Sequence, residues 1–413
     1  MQEIKSTIQY YGFILTIIFL TIPRTTDLSP SDNMVIIIID GARYSETFGD
    51  TSHQYIPNMW TMSAEGSVIN TFYNDSMTYT SKAIPALWCG TWTETVDTVY
   101  NGYNTQYAVK PSIFEYYRKQ KNIPIDQCYY VLKYITSLWL PSFDPDYGPD
   151  YWPTLHSLGS TDSDVSTEAL QIMDDYHPSF LLVYLADVDS RGHSGDWDAY
   201  TNSITIADSI VGVIWNKIQG DSFYKDNTNF FVTNDHGRHD DDHGGFRGHG
   251  CDCDGCRHIM FLAMGPEIKE NYISNQYRRI PDMAVTACQL LDVNPEKASG
   301  DIMTELFKIN SISEKQLSTI PKNFTITSIY PNPFNPDVTI EYTLNQPENI
   351  NISIYNYLGQ PIVTLINARH NSGYYQVKWN GLDNDKKPVS SGIYICVMQN
   401  VNRTQTYKLL LQK

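Results

Sequence analysis

The chain has no excess of basic residues: 29 Lys and Arg stand against 46 Asp and Glu, a formal net charge of −17. Such a surface cannot neutralise a phosphate backbone over any length, so no nucleic-acid partner is expected beyond nucleotide-sized substrates. The N-terminus lacks a long hydrophobic run. The apolar stretch at residues 12–22, behind Lys5, is too short to span a bilayer and suits the core of a signal peptide. No small-x-small cleavage site stands out and Glu3 weakens the basic end, so an uncleaved N-terminal anchor is the alternative. The expectation is a signal peptide over residues 1–26, export, and no transmembrane segment in the mature protein. An even set of cysteines is lacking too. Seven are present, so at least one stays unpaired in an oxidising compartment. They cluster only at Cys251-Asp252-Cys253-Asp254-Gly255-Cys256, where a local disulfide and an additional metal site both fit.

What is present is globular. The hydrophobic fraction is 41%, and 413 residues exceed one ordinary domain. Three unbroken apolar runs, at residues 34–39, 180–185 and 230–233, read as strands of a parallel sheet buried on both faces. Each ends on acidic residues: Asp40-Gly41, then Asp187 and Asp189 with His193, then Asp235-His236. Ligands gather beyond the carboxyl ends of such strands. Carboxylate and imidazole are the ligand mix of zinc or a similar divalent ion. The last run opens a glycine-rich loop with three more histidines, His239, His243 and His249.

Between these strands, residues 55–70 read as a helix and a short strand, and residues 111–121, 165–176, 200–219 and 280–291 as helices. Residues 127–134 and 259–264 read as further strands, and 141–163, rich in Pro, Asp, Gly and aromatics, as a long loop or substrate-facing insertion. Thr78, Thr80 and Ser81 precede an apolar segment, which would place a hydroxyl at a helix N-terminus where a phosphoryl anion is favoured; an ordinary N-cap fits as well. After a polar linker at 309–322, short alternating segments such as 338–343 and 350–355 indicate a β-sandwich.

Two resemblances can be named on these motifs. Asp40-Gly41, Asp189-Ser190-Arg191-Gly192-His193 and Asn234-Asp235-His236-Gly237 match, in order, the metal motifs of the alkaline-phosphatase superfamily, in particular its nucleotide pyrophosphatase/phosphodiesterase-type branch. Thr80, ten residues before Gly90, falls where that branch keeps its threonine nucleophile, with Ser81 the alternative. Asn101 falls where an asparagine contacts phosphoryl oxygens, with Asn104 the fallback. The resemblance implies an α/β fold with a central, mostly parallel sheet flanked by helices over residues 32–308. It implies two Zn2+ ions, one among Asp40, Thr80, Asp235 and His236, the other among Asp189, His193 and a later histidine. His249 fits that place best, His243 competes, and His239 is less suited because it lies so close to His236. Asp187 is assigned a supporting role. Thr80 is followed by Ser-Lys-Ala-Ile-Pro, a departure from the usual nearby Pro and His, and no Cys/Ser-x-Pro-x-Arg motif of formylglycine sulfatases is present.

The second resemblance rests on Pro331-Asn332-Pro333-Phe334-Asn335-Pro336, then Leu358-Gly359 and Ser391-Gly392-Ile393-Tyr394. Together these resemble the C-terminal sorting domain of type IX secretion cargo, here an Ig-like β-sandwich over 323–413. The two resemblances imply a secreted or cell-surface two-zinc phosphoesterase that hydrolyses small phosphate mono- or diesters through a phospho-threonine, exported by the type IX machinery. The alternatives are a sulfate-ester hydrolase, a mutase-like phosphotransferase, and a surface binding protein that keeps the metals structurally.

Overall fold

The computed structural model describes residues 31–133, 140–158, 161–308, 324–344, 347–356, 358–371, 373–399 and 404–412. The expected signal peptide (1–26) and linker (309–322) lie outside them. Contacts divide the chain into two units, Met1–Ser311 and Ile312–Lys413.

The first unit is built on one eight-stranded sheet. Its strands are β1 (Asn33–Ile39), β2 (Ser67–Ile69), β3 (Cys128–Leu132), β4 (Thr154–Ser157), β5 (Phe180–Leu185), β6 (Thr228–Thr233), β7 (Phe261–Met264) and β8 (Tyr272–Ser274), in the order β8-β2-β7-β6-β1-β5-β3-β4. From β6 to β4 every pairing is parallel, whereas β7 runs antiparallel to β6 and to β2. The parallel strands are apolar on both faces because both are covered. Helices α1 (Pro57–Met62), α2 (Thr80–Cys89), α3 (Ile113–Lys121), α4 (Asp162–Asp175), α5 (Asp187–Ser194) and α6 (Trp197–Gly220) follow in chain order. Val35, Ile37, Leu181, Val183 and Val232 face a core with Val165 and Ile172 of α4 and Ile204, Val211 and Ile214 of α6. On the opposite face Trp88 of α2 and Phe114 of α3 pack on Tyr130 of β3, and Phe114 also packs on Phe180 of β5.

One feature of this packing sets up the site. β6, β1 and β5 lie side by side, with Ile38 level with Thr233 and with Tyr184. Their carboxyl ends therefore deliver Asp40, Asp235 and the start of α5 to one place. The region 141–163 differs from the expected loop. It contains a short strand, Leu140–Ser142, and the edge strand β4, whose Thr154-Leu155-His156-Ser157 is only half-buried and carries no continuous apolar run.

The second unit has two antiparallel sheets. One holds Phe324–Tyr330, Val338–Leu344 and Gly373–Trp379; the other holds Pro361–His370, Glu348–Asn356, Gly392–Gln399 and Thr404–Leu411. Alternate residues such as Ile340, Tyr342, Ile352, Ile354 and Trp379 fill a shared core, which makes it a β-sandwich.

Helix α1 has too few turns to stand alone, and Asp208 of α6 anchors it. The buried Asp208 carboxylate accepts from the backbone N–H of Asn58 (2.9 Å) and Met59 (2.8 Å) and from the Asn58 side chain (2.8 Å). These are orphan donors of a helix N-terminus. Asp208→Ala should lower the unfolding free energy by about 2–4 kcal/mol in denaturant titration, and a variant as stable as wild type would refute this anchoring.

Candidate metal centre

Each proposed ligand arrives on a defined backbone feature. Asp40 ends β1, its N–H bonded to the Leu185 carbonyl at 2.9 Å. Gly41 follows with φ +71, and a Cβ there would meet Asp189 Cβ at 2.9 Å, so the chain turns only with glycine. Asp189 and His193 are one helical turn apart on α5 and share a face, His193 Nε2 lying 3.3 Å from Asp189 Oδ2. Asp235 and His236 leave β6 in a turn locked by buried Asn234. Its amide donates to the Ala42 and His236 carbonyls, both 2.8 Å, and accepts from the Met260 N–H at 2.8 Å. Asn74 holds the Asp235 carbonyl at 2.9 Å.

The nucleophile candidate meets this turn. Thr80 is the first residue of α2, and its Oγ1 lies 3.0 Å from His236 Nε2. The first N–H groups of α2 have no partner within the helix and can receive an anion. Among the described residues no such contact joins Ser81 to the cluster. His249 lies beside His193, Nε2 to Nε2 3.1 Å, and 3.6 Å from Asp189 Oδ1. His243 instead pairs with Asp240 at 2.5 Å in an exposed turn. His239 sits with the cysteines, 3.0 Å from Cys251 Sγ.

Among the described residues no hydrogen bond or ion pair joins Asn101 to this cluster. With Gly102 it forms the tip of the exposed hairpin Thr95–Tyr100/Tyr103–Ala108, at φ 50 and 85. Asn-Gly at positive φ is the signature of a tight hairpin turn, and that accounts for the asparagine. Asn104 is likewise exposed on the second strand of the hairpin. Asp187 pairs with Lys133 at 2.5 Å and accepts from the Asp162 N–H at 2.9 Å, so it braces the start of α5. Two groups were not anticipated from the sequence. The Tyr184 hydroxyl donates to Asp40 Oδ2, and fully buried Arg238 is bonded to Asp189 Oδ1.

The electrostatics call for cations. His236 Nδ1 lies 2.8 Å from the Gly237 carbonyl and His249 Nδ1 lies 2.9 Å from the Thr78 carbonyl. A carbonyl only accepts, so each Nδ1 carries the proton and each Nε2 presents a lone pair. Burial pushes both imidazoles down to about 4, which keeps them neutral. His236 Nε2 then faces Asp40 Oδ1 and Asp235 Oδ2, each 3.4 Å away and neither hydrogen-bonded among the described residues. Oxygen and nitrogen lone pairs this close in a buried space are unfavourable unless a proton or a cation is shared among them. Burial, then Asp235 and Asp189, push the Asp40 carboxyl well above its ordinary value, and burial with Asp189 pushes Asp235 up to about 7. Asp189 behaves oppositely: burial opposes its charge, but His236, Arg238, His249 and His193 outweigh that and hold it low. Two groups of ligand atoms lie within 4.8 Å of one another, Asp40/Asp189/His236 and Asp189/His193/His249, with Asp189 common to both. The residues fit two divalent cations.

Comparison with known proteins agrees with this architecture. Residues 328–412 match the family described as the secretion system C-terminal sorting domain. The chain is therefore exported by the type IX machinery to the cell surface or the medium, and no helix among the described residues is long and apolar enough to cross a membrane. A murine ectonucleotide pyrophosphatase/phosphodiesterase 5, an inactive threonine-to-alanine variant in complex with AMP, superposes with TM-score 0.51 at 13% identity over 67% of this chain and 100% of that one. A 2-O GAG sulfatase gives TM-score 0.51 at 11% identity over 91% of this chain and 85% of that one. A phosphopentomutase of Clostridium novyi (strain NT) is 28% identical over 148 residues, 34% of this chain and 33% of that enzyme's length. The first unit thus has the alkaline-phosphatase-like fold, and its structural relatives belong to that superfamily.

The crowding of carboxylates has a measurable cost in the metal-free protein. A carboxyl whose folded pKa lies above the unfolded 3.8 keeps its proton in the fold, so stability falls as pH rises from the unfolded towards the folded value. In chelator-treated protein, Asp40→Asn should therefore raise the melting temperature, by roughly 2–6 °C, and more at pH 8 than at pH 5. The same variant should lose part of the stabilisation that added zinc gives wild type. A metal-free Asp40→Asn protein that melts lower than wild type at both pH values would contradict this.

Proposed function

We propose that residues 32–308 form a metallohydrolase domain, displayed outside the cell by the sorting domain, that hydrolyses phosphate mono- or diesters of small molecules through a phospho-threonine at Thr80. One observation carries the reading: the Thr80 hydroxyl stands at the N-terminus of α2 within 3.0 Å of His236 Nε2, against a buried set of carboxylates and imidazoles. A structural metal site would need no hydroxyl on a helix N-terminus.

We assign Asp40, Thr80, Asp235 and His236 to one cation and Asp189, His193 and His249 to the other, most naturally Zn2+ in each. Bound there, the pair would act as Lewis acids on the Thr80 oxygen and on the departing oxygen. The protein's own contributions are positional. The first N–H groups of α2 would receive the phosphoryl oxygens, and the Thr80 hydroxyl, on the first residue of that helix and 3.0 Å from His236 Nε2, stands beside them. Thr80 Oγ1 gives up its proton as it bonds to phosphorus, and the ester oxygen leaves and takes up a proton, so that the alcohol is released. Water then cleaves the Thr80–phosphorus link, restoring the hydroxyl and releasing phosphate from a monoester substrate or the remaining monoester from a diester. Arg238 holds Asp189 ionised, and the carbonyls of Gly237 and Thr78 keep His236 and His249 in the tautomer that presents Nε2.

The partial match to a phosphopentomutase favours a second reading, in which the phosphoryl group on Thr80 passes to a sugar hydroxyl instead of water. The likeness to a sulfatase adds sulfate esters to the substrates worth testing.

Zinc-replete protein should turn over p-nitrophenyl phosphate or bis-p-nitrophenyl phosphate, and chelation should stop it. Thr80→Ala should lose on the order of 10³-fold or more in kcat with metal content unchanged, whereas Ser81→Ala and Asn101→Ala should stay near wild type. Wild-type protein inert towards both esters, or an active Thr80→Ala, would refute the proposal. Release of p-nitrophenol that accelerates with added pentose, with phosphate appearing on the sugar, would support the transferase reading.

A further inference from the structure

We propose that His239, Cys251, Cys253 and Cys256 form a separate structural zinc site, with three thiolates and one imidazole, that holds the loop carrying His236 and His249. The four ligand atoms lie within 4.8 Å of one another. His239 Nδ1 is 3.0 Å from Cys251 Sγ, 3.3 Å from Cys256 Sγ and 4.0 Å from Cys253 Sγ, and Cys251 Sγ is 3.7 Å from Cys256 Sγ. A tetrahedral zinc with Zn–S near 2.3 Å and Zn–N near 2.0 Å has edges of about 3.8 Å between sulfurs and about 3.5 Å between nitrogen and sulfur. The nitrogen–sulfur separations bracket their edge, and the Cys251–Cys256 separation lies close to the sulfur–sulfur one. A disulfide requires sulfurs about 2.05 Å apart, so the Cys251–Cys256 spacing is that of two ligands and not of a bond. Three cysteines also cannot pair among themselves without leaving one over, whereas three thiolates and a histidine complete a zinc shell.

The backbone is arranged for this purpose. Cys253 caps a single helical turn, Asp254–Arg257, so that Cys253 and Cys256 share one face, and the Cys253 N–H points at Cys251 Sγ from 3.3 Å. The His239 N–H bonds the Gly248 carbonyl at 2.8 Å, and a Cβ on Gly248 would sit 2.7 Å from His239 Cδ2, so the ring reaches the sulfurs only because residue 248 is glycine. The cluster is joined to the catalytic machinery through main chain. The Gly237 N–H, next to His236, bonds the Cys256 carbonyl at 2.8 Å, and Thr78 Oγ1 donates to the Cys251 carbonyl at 3.0 Å. His249 is two residues before Cys251. Zinc here would pin both ends of the loop and, outside the cell, would shield three thiolates from oxidation.

The test is cobalt substitution of the full chain. None of the ligands assigned to the paired site contains sulfur, so a sulfur-to-cobalt charge-transfer band in the near ultraviolet reports on this cluster alone. The wild-type protein loaded with Co2+ should show that band, and Cys251→Ser and Cys256→Ser should weaken it and each bind one metal fewer per chain. Asp40→Asn should leave it intact. Absence of the band in the wild type, or a Cys251–Cys256 disulfide mapped by mass spectrometry in the metal-replete secreted protein, would overturn the proposal. The wild-type spectrum decides the matter even if the serine variants do not fold. Inertness towards phosphate esters with the band present would count only against the proposed hydrolase.

Discussion

Three carboxylates, Asp40, Asp189 and Asp235, are brought together beyond the carboxyl ends of three adjacent parallel strands, Asp189 from the helix that follows its strand, and much of the site is arranged around their repulsion. Parallel pairing in near-equal register leaves no freedom to separate the residues that follow Ile39, Leu185 and Thr233. Arg238 and the Tyr184 hydroxyl relieve part of the charge from below, but Asp40 Oδ1 and Asp235 Oδ2 remain buried without a hydrogen-bond partner among the described residues. Divalent cations are the natural complement. Under the proposed function, the unfavourable electrostatics held by the sheet would be returned as affinity for the two cations.

Around that centre the loop after β6 acts as a bridge. It begins by placing His236 against Thr80 and returns, after the exposed turn around His243, to place His249 against His193. A chain segment of that length with several glycines would be costly to order on its own. The cysteine cluster, the Arg238 bonds to the Phe246 and Arg247 carbonyls, and the main-chain bond between Gly237 and Cys256 supply that order.

How much of this was legible in the sequence depends on whether the signal was local. The three central strands and their acidic ends were readable because burial on both faces demands unbroken apolar runs. Strand β4 was not, since an edge strand that is half-buried can be written with Thr, His and Ser in a segment otherwise rich in turn residues. Asn101 rests only on the spacing of a resemblance, whereas its neighbour Gly102 gives the pair a local reading as a tight hairpin turn, which is where the structure has it. The resemblance already favours His249 over His243, but the fold that puts His249 beside His193 and His243 in an exposed turn with Asp240 depends on how the loop doubles back, which no local pattern shows. Arg238 stood in plain sight beside Gly237, but only packing reveals that its guanidinium sits under Asp189. The sandwich is legible in the alternation of its strands, which the burial of Val338–Leu344 follows residue by residue.

The central claim is that the strand-end cluster holds two cations around a competent Thr80. Anomalous diffraction at the zinc edge, from crystals grown with zinc and phosphate, addresses it most directly. Two peaks are expected at the strand ends, one enclosed by Asp40, Thr80, Asp235 and His236 and one by Asp189, His193 and His249, with phosphate against the first turn of α2; the zinc proposed at His239 and the three cysteines would add a third, separate peak. Absence of zinc from these carboxylates, or zinc present with Thr80 turned away from it, would contradict the account.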